Sequence, residues 1–289
     1  MSAPAETLPV NRVHDVYPYI SPDKHFAAQT FRGKVVFLTG ASKGICLQIA
    51  TFYARAGASV AITARRQKPL EEARAAILNV APSAEVLGIS VDVVQAKQVE
   101  EAIKATIARF GKIDICVAGA GANAHFDKPL AQEDPDVWWG ILESNVRGVL
   151  NVAHFAVPHL SKTKGYLIVI SSEGAQLRLP MGSSYTVAKH AVGRLVEYIV
   201  LENPDVKAFA LHPGSIKTES ATANPSFIPY LIDTLQLPAA TAFYLTSGSA
   251  DWLSGRFVSS NWDLGEVERD WKDKIVASQA LVSRLSIPT

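Results

Sequence analysis

Tyr185 and Lys189 stand four apart in SSYTVAKHAV (183–192), at the start of a stretch with helical spacing. Residues four apart share one face of a helix. A phenol beside a fixed ammonium is a candidate acid–base pair. Free tyrosine titrates near ~10, so use at neutral pH needs about three units, roughly 4 kcal/mol of differential stabilisation. A nearby cation favours the phenolate and supplies part of that. Thirteen residues earlier, GYLIVISS (165–172) reads as a buried strand that delivers Ser172 to the carboxyl edge of a sheet. Ser172 would bond a substrate carbonyl oxygen while Tyr185 protonates it. Taken alone, the residues also fit a chance Tyr-x-x-x-Lys pair and two serines capping a strand.

A second constellation lies upstream. KVVFLT (34–39) is a short apolar run, and TGASKGIC (39–46) follows it into a helical stretch ending near Ala56. Gly40 suits a left-handed turn. Gly44 would admit the backbone to a pyrophosphate at the opening of the next helix. The spacing is GxxxGxC, so the generic dinucleotide motif does not settle the matter. The third small position of such turns serves helix–strand packing. Cys46, small and apolar, is therefore expected to widen the gap slightly and keep the phosphate site.

The second apolar run (59–63) ends in Ala64-Arg65-Arg66, with no carboxylate before Glu71. An acid there would select a ribose 2′-OH. Two arginines instead fit a 2′-phosphate, with Lys43 as a third positive charge. NADP(H) over NAD(H) is the expectation. Solvated charges opening a helix are the bland alternative.

These residues need elements to hold them. Short apolar runs at 84–92, 112–119, 206–212 and 255–263 alternate with helical stretches at 68–80, 95–111, 136–160 and 183–203. Strands alternating with helices of this length indicate βαβ units, and near-continuous apolar strands indicate a parallel sheet covered on both faces. The fold class is α/β: one doubly wound, Rossmann-like parallel sheet of about seven strands with helices on both faces. Residues 1–31, broken by Pro4, Pro9, Pro18 and Pro22, read as an irregular extension packed on the body through Tyr17, Tyr19, Ile20 and Phe26. Residues 32–289 form the single catalytic domain, with a lid at about 215–250 and a helical tail at about 266–289.

At this point the sequence resembles the short-chain dehydrogenase/reductase family over roughly residues 33 to 263. The family's glycine turn matches TGASKGIC, its Asp-Val pair Asp92-Val93, its helical asparagine Asn145, and its Ser, Tyr and Lys match Ser172, Tyr185 and Lys189. Its Pro-Gly-x-Ile-x-Thr segment is Pro213-Gly214-Ser215-Ile216-Lys217-Thr218. Its Asn-Asn-Ala-Gly segment appears as Ala118-Gly119-Ala120-Gly121, so the asparagine hydrogen bonds are lost and some rigidity with them. The resemblance implies a catalytic set of Asn145, Ser172, Tyr185 and Lys189. It implies cofactor contacts from Gly40, Ser42, Lys43, Gly44, Ile45, Arg65, Arg66, Asp92, Val93, Ala118, Gly119, Pro213, Gly214, Ile216 and Thr218, besides Tyr185 and Lys189. It further implies NADP(H)-dependent exchange of a carbonyl and a secondary alcohol, with Tyr185 as acid or base and Asn145 holding a water beside Lys189. Pairing through the helices at 136–160 and 183–203 would give a homodimer or homotetramer. The competing reading is a silent NADP(H)-binding sensor or scaffold of the same fold.

The remaining residues set limits. A net charge of +1 from 28 basic and 27 acidic residues gives no basis for a nucleic-acid or anionic-membrane partner. No run of ~18 apolar residues marks a membrane span. Cys46 and Cys116 read as free buried thiols, which suits a reducing, cytoplasmic setting. His125, His154, His159, His190 and His212 show no metal-ligand spacing and read as satisfied structural histidines. His125 and Phe126 stand where they would touch substrate. Phe227, Ile228, Tyr230, Leu231 and Leu235 in the lid point to an apolar carbonyl or alcohol as the small-molecule partner.

Overall fold

The computed structural model describes residues 7–285. Seven parallel strands form one sheet in the order β3-β2-β1-β4-β5-β6-β7. They are β1 (Val35–Thr39), β2 (Ser59–Ala64), β3 (Val86–Ser90), β4 (Ile115–Ala118), β5 (Tyr166–Ile170), β6 (Lys207–His212) and β7 (Arg256–Ser259). The chain order reverses between β1 and β4, where Val36, Phe37 and Leu38 pair with Ile115, Cys116 and Val117. Such a reversal opens a crevice at the carboxyl ends of the strands.

Helices cover both faces. They are α1 (Asp23–Ala28), α2 (Gly44–Arg55), α3 (Gln67–Val80), α4 (Ala96–Phe110), α5 (Pro135–Leu142), α6 (Gly148–Thr163), α7 (Ser183–Glu202), α8 (Glu219–Thr222), α9 (Gln236–Leu245), α10 (Leu264–Glu266) and α11 (Lys272–Ser278). Strand side chains alternate between the faces. Val36 and Leu38 join the core built with α2, α3 and α9, whereas Phe37 joins the core built with α4, α6 and α7. Among the described residues, no helix is long and apolar enough to cross a membrane.

Four elements differ from the sequence reading. The stripe over 136–160 is one helical path from α5 to α6, but Glu143–Arg147 between them takes the wider π turn. Within 1–31, Asp23–Ala28 is helical, because Pro18 and Pro22 both precede that stretch and do not interrupt it. Ile20 and Phe31 are buried in the main core. The arrhythmic stretch ends near Leu235, since every residue of α9 from Leu237 to Leu245 is buried. The helical tail expected at about 266–289 begins at Leu264 and stops at Ser278, where Gln279 turns left-handed. Leu281 O then accepts the Phe257 N–H at the β7 edge.

Candidate active site

The glycine turn between β1 and α2 forms the floor of the crevice. Gly40 has a φ of +71°, and a Cβ on it would lie 2.9 Å from Ala120 N. Only glycine lets these two backbone segments meet. Gly40, Ser42, Lys43, Arg65, Arg66, Asp92, Val93 and Gly119 line one open cleft of about 930 Å³. Ile45, Asn145, Ser172, Tyr185, Lys189, Pro213, Gly214, Ile216 and Thr218 line a second of about 780 Å³. Gly119, Gly121 and Ala122 belong to both, so the two form one groove across the strand ends. Gly44 opens α2 beside Thr218. Ala118 alone turns away: its side chain is buried in the core on the α4 face.

Tyr185 comes from the first turn of α7, and Ser172 follows β5 directly. The two side chains line the same cleft, and Ser172 is near enough to favour the Tyr185 phenolate. Ser172 Oγ also accepts the Gly174 N–H at 3.0 Å, which fixes its rotamer. Lys189 is one turn on, 6% exposed, with Nζ donating to Ile170 O at 2.9 Å and lying 5.5 Å from the Tyr185 ring centre. Burial pushes the Tyr185 phenol up, opposed by Ser172; the lowering by Lys189 expected from sequence is not among the causes. Burial also pulls Lys189 itself down to about 8.

Asn145 sits in the π turn, as irregular turns at such positions often do. Its Nδ2 donates to Ala122 O at 2.7 Å and to Ile141 O at 2.9 Å. Its Oδ1 is buried and has no protein partner. A Cβ on Gly121 would lie 2.5 Å from that oxygen and 3.7 Å from Lys189 Nζ. Asn145 and Lys189 line the same cleft.

Cys46 is buried at the start of α2, and burial pushes its thiol up to about 12. The nearby charge that counters this is Lys189, from across the crevice, not the Lys43 that sequence proximity points to. Cys116 is buried on the opposite face of the sheet, and both thiols are free. Thr39 Oγ1 accepts the N–H groups of Gly119 at 3.1 Å and Ala120 at 3.2 Å. It thereby anchors the segment that lacks the asparagines.

Lys43 also lines the cleft, where it makes an exposed ion pair with Glu219 of α8. The Arg65 and Arg66 side chains line the cleft with no hydrogen-bonded protein partner among the described residues. His212 also departs from expectation. It is buried, neither ring nitrogen has a hydrogen-bond partner among the described residues, Nε2 lies 3.9 Å from Glu173, and burial pushes its pKa down.

Sequence reasoning missed Gly121 and Ala122, which shape the waist of the groove. It also missed Thr39, whose hydroxyl reads in sequence as one more strand residue.

A sequence model of the family described as short chain dehydrogenase matches residues 34–227. The chain belongs to the short-chain dehydrogenases. This short-chain dehydrogenase is 37% identical over 269 residues to short chain dehydrogenase mpl6 of Monascus purpureus, covering 89% of this chain and 90% of that protein. It is 35% identical over 202 residues to 11-beta-hydroxysteroid dehydrogenase-like 2 of Arabidopsis thaliana, covering 69% and 64%. Its fold matches the crystal structure of levodione reductase with a TM-score of 0.75 and 25% identity, over 83% of this chain and 100% of that one. It matches an alcohol dehydrogenase from Thermococcus sibiricus complexed with 5-hydroxy-NADP with a TM-score of 0.66 and 29% identity, over 73% and 89%.

Proposed function

We propose that the chain is an NADP(H)-dependent oxidoreductase that interconverts a carbonyl and a secondary alcohol, with Tyr185 as acid and base. The carrying observation is that Ser172 and Tyr185 meet in one cleft, backed by buried Lys189.

The residues fit a dinucleotide. Gly40 and Gly44 have positive φ and leave the turn bare of side chains, so the N–H groups opening α2 suit a pyrophosphate. Asp92 and Val93 flank the adenine end. Arg65 and Arg66 suit a 2′-phosphate. A solved relative that carries an NADP derivative favours the same choice. Lys189 would bond the nicotinamide ribose, and Ile216 and Thr218 would face the carboxamide. When bound, the cofactor supplies or accepts the hydride.

The chain's own residues then do the rest. Ser172 holds the carbonyl oxygen, and Tyr185 passes its proton to that oxygen as negative charge develops there. A phenol kept protonated by burial suits this role. Lys189 and the water site at Asn145 would return a proton to Tyr185. In oxidation the same groups run in reverse.

Phe126 packs edge-on to Phe227 at 4.9 Å and lies 6.0 Å from the Tyr185 ring. Leu179 and Met181 are exposed nearby. This apolar wall favours a medium or large hydrophobic carbonyl compound. Exposed Leu150 on α6 and Val187, Tyr198 and Leu201 on α7 are the surfaces for a homodimer or homotetramer. The free buried thiols fit a cytoplasmic setting.

An NADPH-oxidation assay across ketone classes tests the reading. Tyr185→Phe should abolish turnover and leave NADPH affinity within about threefold. Near wild-type turnover in that variant would mean another proton donor. NADPH binding with no turnover of any carbonyl by the unaltered protein would favour the silent sensor or scaffold.

A further inference from the structure

Residues 11–15 run along the β7 end of the sheet as a strap. Val13 N–H donates to Asn261 O at 2.9 Å, and Asn261 Nδ2 donates to Val13 O at 2.9 Å. Asn11 O accepts the Asp263 N–H at 3.0 Å. The strap then reaches the far end of the 215–235 segment. Thr234 N–H donates to His14 O at 3.0 Å, and Thr234 Oγ1 donates to the Asp15 carboxylate at 2.6 Å.

Between these bonds, His14 Nδ1 donates to Asp233 Oδ1 at 2.6 Å. The Asp233 side chain is only 2% exposed. Its Oδ2 accepts a short bond from the Ser215 N–H, while Asp233 N–H donates back to Ser215 O at 3.1 Å. One buried carboxylate thus ties together the entry and exit of the segment. A Cβ on Gly214 would lie 2.7 Å from Asp233 Oδ2, so the carboxylate is pressed beneath the Pro213-Gly214-Ser215 turn. That turn lines the groove with Ser172, Tyr185 and Lys189. On the other wall, Arg12 Nη2 reaches Glu173 Oε2 at 3.5 Å, next to Ser172.

We propose that His14 is a positioning residue: through Asp233 it fixes the Pro213–Ser215 turn and so the wall against which the nicotinamide end of the cofactor docks. The proposal rests on the cofactor reading above. Oδ1 of a buried carboxylate needs a donor, and among the described residues the imidazole is the one that reaches it. Without it, Asp233 turns toward water and the stem of the 216–232 segment loosens.

The test uses the full chain with His14→Leu and His14→Asn. The His14 side chain is 47% exposed, so neither change disturbs a core. Three quantities are measured: affinity for NADPH, affinity for adenosine 2′,5′-bisphosphate, which spans only the Arg65–Arg66 end, and the rate of limited proteolysis within 216–232. His14→Leu should weaken NADPH about tenfold, leave the bisphosphate within about twofold and speed cleavage. His14→Asn, whose amide donates to Asp233, should restore both values. Unchanged NADPH affinity, or equal losses for the two ligands, overturns the proposal. If the unaltered protein binds NADPH yet reduces no carbonyl, the catalytic reading fails and the affinity comparison still decides the role of His14. If it binds neither ligand, the cofactor reading fails, and unchanged cleavage in His14→Leu overturns the latch.

Discussion

The sulfur of Cys46 occupies the space that a side chain at position 119 would need: a Cβ on Gly119 would collide with Cys46 Sγ. Helix α2 therefore accepts a cysteine in its first turn because the residue that follows β4 has no side chain. Gly119→Ala should destabilise the protein by about 1–3 kcal/mol through overpacking. Cys46→Ala in the same chain should recover much of that loss, with a coupling of about 0.5–3 kcal/mol. Urea unfolding of the two single variants and the double variant checks this. Additive losses would show that the contact is not the constraint.

Arg65→Asp should weaken NADPH by about 10–100-fold, since a hydrogen bond to a charged group is worth about 1.5–3 kcal/mol. NADH affinity should change little. Arg65→Lys should fall between, because an ammonium lacks the planar fork. Parallel titrations with both cofactors give the answer, and equal losses for the two would remove Arg65 from phosphate recognition.

Burial pulls Lys189 down to about 8, below its ordinary value of 10.5. The ammonium is therefore present below about pH 8 and lost above it. The kcat/KM for carbonyl reduction, which reports the free enzyme, should fall above about pH 8. Stability has the opposite sign. Between about 8 and 10.5 the unfolded chain binds the proton and the folded chain does not, so folding is favoured as pH rises through that window. Lys189→Met should flatten both profiles. A reduction rate constant to pH 10 would contradict the assignment.

Gly121→Ala should displace Asn145, whose Oδ1 lies 2.5 Å from the new methyl position. Turnover should drop about tenfold or more, while adenosine 2′,5′-bisphosphate binding stays put. Stopped-flow turnover paired with that titration separates the two. Loss of bisphosphate binding would mean that the whole turn had moved.

Much of the sheet was legible because each buried strand is a short apolar run followed by helical spacing, as in KVVFLT before the glycine turn. The grouping of the candidate site was legible for a related reason: Tyr185 and Lys189 share one helix, and Ser172 lies just past the end of one strand. Legibility stopped where the signal is not periodic. The π turn at Glu143–Arg147 widens a helix that keeps its apolar stripe. Helix α9 is buried all round, so QLPAATAFYL shows no polar face, and Pro238 near its start reads as a loop. The contact of Cys46 with Gly119 joins the start of a helix to the end of a strand, 73 positions apart. His14 and Asp233 are separated by 219 positions, and neither carries a local motif.

The strap has one more consequence, for self-association. An open sheet edge offers unpaired backbone groups to other chains. At β7 those groups are already engaged, by Arg12 against Trp262 and by Leu281 against Phe257. The rim at β3 has no such cover among the described residues. Trimming the C-terminal tail back to the sheet would therefore free a second sticky rim, and precipitation on storage would follow before any change in cofactor affinity.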